Sequence, residues 1–140
     1  MENIKLFITW LRLSGAAVCS VLVSVLGGWD LSLKILVTLT VLDFITGILT
    51  AIYSHTLSSE IGSKGIVKKI GIYIIVAVAC LLDQLMNTNF ALRGAAIGFY
   101  ITVEGLSIIE NWSKMDLPLP GIIKNALLQL QQKKEGGDGQ

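Results

Sequence analysis

Leu42-Asp43-Phe44-Ile45-Thr46-Gly47-Ile48-Leu49-Thr50-Ala51 sets a carboxylate in the middle of the longest apolar run of the chain, Leu31 to Tyr53. An ionisable group at the centre of a membrane helix costs roughly 2.5 to 3.5 kcal/mol on insertion scales. In a bilayer such a residue points by default to a functional hypothesis, because most sequences avoid it. Wound as a helix, the segment gathers Thr40, Asp43, Thr46, Gly47, Thr50 and Ser54 on one polar, small-residue stripe by three-and-four spacing. The opposite side is Leu, Ile, Val and Phe. About thirteen strongly apolar residues, at roughly 0.3 to 0.6 kcal/mol each, offset the aspartate, so this span inserts by itself. Its stripe still needs partners to hide it.

The composition around this stretch is that of an integral membrane protein. Hydrophobic residues make up 53% of the 140 and charged residues only 15%, and the mean hydropathy is +0.70. The length fits one domain. A net charge of +1, with the basic residues at the ends of apolar runs, argues against a nucleic-acid partner. Cys19 and Cys80 fall inside apolar runs without a CxxC partner or a nearby His, and read as small buried hydrophobes. The single His55 sits in a polar loop and reads as solvated. No Ser/His/Asp or Cys/His set and no metal-ligand spacing is present, so neither an enzyme nor a cofactor is expected. The N-terminal stretch Met1 to Arg12 is already apolar at Leu6, Phe7, Ile8, Trp10 and Leu11. With no small-residue cleavage site, the first helix is expected to stay in the mature protein.

Four apolar runs, each near the roughly 20 residues that a bilayer crossing needs, are separated by short polar loops. They cover about Ile8 to Leu26, Leu31 to Tyr53, Ile66 to Met86 and Ala91 to Ile109. The expected fold is an all-α integral membrane bundle, because no alternating barrel pattern is present. With four crossings and a cytoplasmic N-terminus, Lys5, Arg12, Lys64, Lys68, Lys69, Lys114, Lys124, Lys133 and Lys134 lie inside, and only Lys34 and Arg93 outside. Nine against two places both termini in the cytoplasm. Trp10, Tyr53, Tyr73 and Trp112 near the inner interface and Trp29 at the outer turn agree with that orientation; Tyr100 lies inside span four.

Span one aligns Ala16, Ser20, Ser24 and Gly28 at steps of four, a face that permits close helix contact. Span three carries Gly71, Ala79 and Asp83 on a similar line, with Asp83 near the outer end, where it can stay hydrated. Span four is the weak one: from Gly94 to Ile109 about seven strongly apolar residues stand against Glu104, and the insertion terms nearly cancel. It either crosses with the support of its neighbours or forms a re-entrant hairpin with span three. Its polar stripe is Tyr100, Glu104, Ser107 and Asn111, and Gly94-x-x-x-Gly98 suits close packing. Beyond Trp112, Pro118 and Pro120 stop that helix. A C-terminal amphipathic helix, about Gly121 to Lys134, then lies on the inner leaflet or makes a packing or oligomer contact. The division is thus residues 1–117, a transmembrane bundle; 118–134, the interfacial segment; and 135–140, a disordered Gly-rich tail.

Gly62-Ser63-Lys64-Gly65-Ile66-Val67-Lys68-Lys69 lacks the order of a phosphate loop. It reads as a cytoplasmic turn whose Lys64, Lys68 and Lys69, with Lys124, Lys133 and Lys134, meet anionic headgroups. Asp43 and Glu104 sit at similar depth and are expected near each other, with no lysine or arginine at matching depth. Two readings of them stand. Each carboxyl hydrogen-bonds a neighbouring Thr or Ser and fixes packing, or the pair serves oligomerisation around a wet lesion, with Thr46, Gly47, Thr50, Asp83, Tyr100, Ser107 and Asn111 on the same polar faces.

Leu42-Asp43-x-x-Thr46-Gly47-x-x-x-Ala51, Ser58-Ser59-x-x-Gly62-x-x-Gly65-x-x-Lys68-Lys69, Leu82-Asp83, Glu104-x-x-Ser107-Ile108-x-Glu110-Asn111 and Pro118-x-Pro120 follow one another in this order. Together they resemble the small bacteriophage holins of the phage-lysis and toxin-secretion type, over about Leu31 to Leu130. Val103 stands where that pattern has Asn, and Asp116 where it has Gly. The resemblance implies a protein of the bacterial cytoplasmic membrane that associates with itself into lesions, lets an endolysin or a toxin pass, and is in some systems restrained by an antiholin. Alternatives are an antiholin of the same fold and a small proton-coupled transporter subunit using Asp43 and Glu104 as a relay. No inverted repeat of the transporter kind is visible.

Overall fold

The computed structural model describes residues 1–123, Asn125 and Gln129. It contains α1 (Glu2–Val25), α2 (Leu31–Tyr53), α3 (Ser59–Met86) and α4 (Ala91–Lys114), and no strand among the described residues. All four are long and apolar enough to cross a membrane. Residues 121–123 are helical after Pro118 and Pro120. The rest of the expected C-terminal helix, with Lys124, Lys133 and Lys134, and the tail 135–140 fall outside the described residues, apart from Asn125 and Gln129.

Local chemistry explains the helix ends. Asp30 is the N-cap of α2 and accepts from the Leu33 N–H at 2.9 Å, and Ser58 caps α3 by accepting from the Ile61 N–H at 3.3 Å. This second cap corrects the expected start of span three near Ile66. The helix begins at Ser59, so the lysine-bearing stretch from Gly62 to Lys69 is helix and not a turn. Between α1 and α2 the chain turns through Gly27 and Gly28, at φ +84° and +105°. Only glycine suits Gly27, since a Cβ there would stand 2.7 Å from Arg93 Nε and 2.9 Å from Cys80 Sγ. Asp116, where the resembling pattern has Gly, takes φ +55°, a left-handed conformation that glycine adopts freely. Tyr53 donates to its carboxylate at 3.2 Å.

Cross-helix contacts set the directions. Asp30 meets Arg93 at one end of the bundle and Tyr53 meets Asp116 at the other, so α2 and α4 run parallel. Tyr73 meets Thr40, and Lys69 meets Asp43, so α3 runs against α2. The buried apolar cluster of Leu36, Ile72, Val76 and Ile97, with Tyr100 and Ile101 packed against it, fills the half nearer Asp30. Polar side chains fill the other half. α4 is an unbroken helix of 24 residues, about 36 Å long at 1.5 Å per residue. Its Gly94 and Gly98 have open space at the Cβ position, so the expected close-packing motif is unused among the described residues.

Nothing on α1 is buried. Its small-residue face, Ala16, Ser20 and Ser24, is exposed, with Ser20 donating to its own Ala16 carbonyl at 2.8 Å. Gly28 lies beyond the helix, in the turn. Cys19 on α1 is exposed, against expectation, whereas Cys80 is buried. Large apolar side chains such as Leu49, Ile70, Leu85 and Phe99 are widely exposed over the bundle. That distribution suits hydrocarbon as the surrounding solvent.

Candidate functional site: a charged cluster between three helices

The polar stripe of α2 is covered by α4 and by one lysine of α3. Lys69 donates from Nζ to Asp43 Oδ2 and to Glu104 Oε2, with side-chain exposures of 17% for the lysine and 14% and 5% for the carboxylates. Asn111 Nδ2 donates to Asp43 Oδ1 at 3.3 Å and to Thr46 Oγ1 at 3.2 Å. Thr50 donates to the carbonyls of Thr46, at 2.8 Å, and Asn111, at 3.1 Å. One turn along α3, the Tyr73 and Thr40 hydroxyls share a hydrogen bond of 2.7 Å. Every buried side-chain nitrogen and oxygen among the described residues has a partner, which is what an apolar solvent demands.

Lys69 corrects two expectations. A cation does lie at the depth of Asp43 and Glu104, and its ammonium is committed to them instead of to headgroups. The signal was helical periodicity. α3 buries Ile72, Val76, Ala79 and Asp83, and one step of three back from Ile72 arrives at Lys69. Reading the stretch as a turn hid that step. One lysine cannot neutralise two carboxylates, so with all three groups ionised the cluster carries a net charge of −1. That excess makes the cluster sensitive to its surroundings, since a charge is far cheaper in a wet site than in a dry one.

The other expected polar positions separate. Gly47 lies beside the cluster, its Cβ position 3.7 Å from Asn111 Nδ2, and Ser107 lines the cleft next to it. Tyr100 does not join: it packs on the apolar cluster and edge-on to Phe99, with ring centroids 5.2 Å apart. Lys64 and Lys68 line the cleft mouth, Lys64 pairing with Glu60 at 2.7 Å.

Asp83 belongs to a second cluster at the Asp30 end, and it is buried instead of hydrated, at 3% exposure. Its carboxylate caps α4 from across the turn. It accepts from the N–H groups of Leu92 at 3.0 Å and Arg93 at 2.7 Å, and from the Thr88 hydroxyl. Arg93, expected in a solvated outer turn, is also buried. It donates to Asp30 Oδ2 at 2.6 Å, the Leu26 carbonyl at 2.6 Å and the Gly28 carbonyl at 3.3 Å. The Arg93 hydrogen bond holds the Asp30 carboxyl well below the usual carboxylate range, with partial desolvation opposing it. This cluster ties the α1–α2 turn to α4. Sequence reasoning missed it because its members are spread over the α1–α2 turn, the end of α3, the α3–α4 turn and the start of α4.

Comparison with known proteins places this architecture. The profile of the bacteriophage holin family matches residues 20–132. The chain belongs to the bacteriophage holin family. A probable holin of Bacillus phage phi105 is 34% identical over 110 residues, covering 76% of this chain and 82% of the phage protein. An uncharacterized protein of Listeria monocytogenes is 42% identical over 107 residues, 76% of each chain. An uncharacterized 14.9 kDa protein of Clostridium perfringens is 38% identical over 135 residues, 96% of this chain and the whole of its own. No solved structure matches. Within this holin-family chain, Asp43, Lys69, Glu104 and Asn111 all lie inside the matched region, whereas most of α1 precedes it.

Proposed function

We propose that this chain is a lesion-forming holin: it spans the bacterial cytoplasmic membrane with α1 to α4, both termini inside, associates with itself, and opens lesions that pass an endolysin or a toxin. Family membership supports the holin role. The observation that carries the mechanism is the Asp43–Lys69–Glu104 cluster, ion-paired and largely dry between three helices. In a single chain its polar face is satisfied internally. In an assembly the same face can line a wet lumen, where the uncompensated carboxylate is hydrated and the cost of burying it disappears. Parting α3 from α2 and α4 exposes that face, with α4, the least apolar span, lining it beside α2. The polar residues Thr46, Gly47, Thr50, Ser107 and Asn111 line the exchange surface. Lys64 and Lys68, with Lys124, Lys133 and Lys134, meet the inner leaflet.

Expression of the chain alone in bacteria is the test. Abrupt loss of membrane potential, followed by lysis when an endolysin is co-expressed, is the expected result. Continued growth with verified insertion overturns the reading. Delayed lysis on co-expression with an active holin would instead assign the chain to the antiholins.

A further inference from the structure

The charged cluster is the floor of a cleft of about 490 Å³ between α2, α3 and α4, a volume within the roughly 300 to 1,000 Å³ of small-molecule sites. Phe44, Ile48, Leu57, Ile61 and Val103 make its walls apolar, and the exposed Lys64 and Lys68 stand at its mouth. From Ile61, near the start of α3, to Lys69 on the floor the helix rises about 12 Å.

The hydrogen bonds leave part of this floor unused. Glu104 gives Oε2 to Lys69, and no hydrogen bond among the described residues reaches its Oε1. Glu104 is 4% exposed, yet every fully buried side-chain oxygen among the described residues has a partner. Its Oε1 is therefore reached from the cleft that Glu104 lines. Asn111 donates twice from Nδ2 and leaves Oδ1 without a partner among the described residues, and Ser107 Oγ is in the same position. Glu104, Ser107 and Asn111 follow one another at steps of three and four on α4, so the three side chains share one face. That face offers acceptor oxygens to a donor.

Charge selects the donor. Lys69 compensates one of its two carboxylates and leaves one negative charge on the floor. A ligand carrying one positive charge and several N–H groups brings the cluster to neutrality while the three helices stay packed. An inorganic cation would leave the apolar walls wet, whereas an alkyl or aryl group on the cation covers them. The mouth limits the total charge. Lys64 is engaged with Glu60, but Lys68 makes no ion pair among the described residues, so a second positive charge on the ligand would stand against it.

We propose that this cleft binds one amphiphilic organic monocation, an alkylated ammonium or guanidinium, with its N–H groups on Glu104 Oε1, Ser107 and Asn111 and its apolar part between Phe44, Ile48 and Val103. The proposal rests on the packed bundle and not on lesion formation. A cation seated there joins the floor on α4 to the walls on α2, and so holds the cluster closed.

The experiment is isothermal titration calorimetry of the full chain in maltoside micelles, with the heats of empty micelles subtracted. The probes are hexylguanidinium, its neutral isostere hexylurea, the bare guanidinium ion and spermidine. Expected is one hexylguanidinium per chain, saturable and held at least about tenfold tighter than hexylurea, from the charge-assisted hydrogen bonds. It should also exceed guanidinium at least about tenfold, from the buried alkyl chain. Spermidine should bind more weakly than hexylguanidinium, and Lys68→Gln should narrow that gap. Glu104→Gln should bring hexylguanidinium to within about twofold of hexylurea, since one neutral acceptor then meets both probes. Gly62→Leu adds a side chain to the cleft lining at a position where a Cβ meets no atom within 4 Å. It should weaken both hexyl probes with the helical circular dichroism unchanged. Equal affinity for hexylguanidinium and hexylurea, absence of saturation, tighter binding of spermidine, or wild-type affinity in either the Glu104 or the Gly62 variant overturns the proposal. The heat is read on the packed chain in micelles, so absence of binding with intact depolarisation in cells sinks this proposal alone, and the reverse outcome sinks only the lesion reading.

Discussion

A buried carboxylate, Glu104, and a half-buried one, Asp43, share one lysine in this bundle, and single substitutions there should be unequal in effect. Lys69→Met leaves Asp43 and Glu104 facing each other without a cation. It is expected to destabilise the bundle by about 3 to 5 kcal/mol in detergent unfolding titrations. Neutralising all three, with Asp43→Asn, Lys69→Met and Glu104→Gln, should recover most of that loss. Asp43→Asn alone is milder, because Asn keeps one acceptor oxygen for Lys69 and removes the uncompensated negative charge of the cluster. It should insert normally and shift the onset of lysis, measured as the time of depolarisation after induction; an unchanged onset would return Asp43 to a packing role. At the other end, Asp30 is held ionised by Arg93. A carboxylate with a lowered folded-state pKa contributes stability that is present above the ordinary Asp range, near pH 3.9, and is lost as pH falls towards the folded value. Resistance to unfolding should therefore be level from about pH 7 to 5 and decline below about 4, and Asp30→Asn should flatten that decline. The two carboxylates of the main cluster were legible as costly intramembrane groups. Lys69 was not, because its place depends on where α3 starts.

At the level of elements, capping and turns decide the boundaries. α2 occupies the expected Leu31–Tyr53 because an aspartate cap and a long apolar run agree. α3 starts earlier than hydropathy suggests, since Ser58 caps it and α3 tolerates three lysines where two face the cleft mouth and one finds carboxylates. The α1–α2 turn has less latitude. Gly27→Ala combines a positive φ with contact against Arg93 and Cys80, and should cost about 2 to 4 kcal/mol, the sum of left-handed strain and overpacking. Unfolding midpoints of the two proteins in the same detergent check this. Asp83 and Arg93 show why loop-proximal charges resist sequence reading. Each looks solvated from its own neighbourhood, and each is buried by groups from another element.

For the whole molecule, alternating spans make α2 and α4 parallel and bring their polar stripes face to face. That topology predicts an accessibility pattern in cells. With Cys19 and Cys80 replaced by Ala, single cysteines at Lys34 and Asn89 should react with an impermeant thiol reagent from outside, and those at His55 and Lys64 should not. Labelling at both ends from one side would overturn four crossings. Asn89 is the useful probe at its end, being exposed where Arg93 is buried.

Apolar run lengths and the position of Asp43 within Leu31–Tyr53 were sufficient for an all-helical membrane protein with costly charges inside it. These are properties of single segments against a uniform solvent, and a segment carries them wherever it lies. The partner of each charge is a property of three segments at once. Only the tertiary structure brought Lys69 to Asp43 and Glu104, and Arg93 to Asp30 and the α1–α2 turn, because helix direction, register and rotation together decide which side chains can reach within an ångström or two.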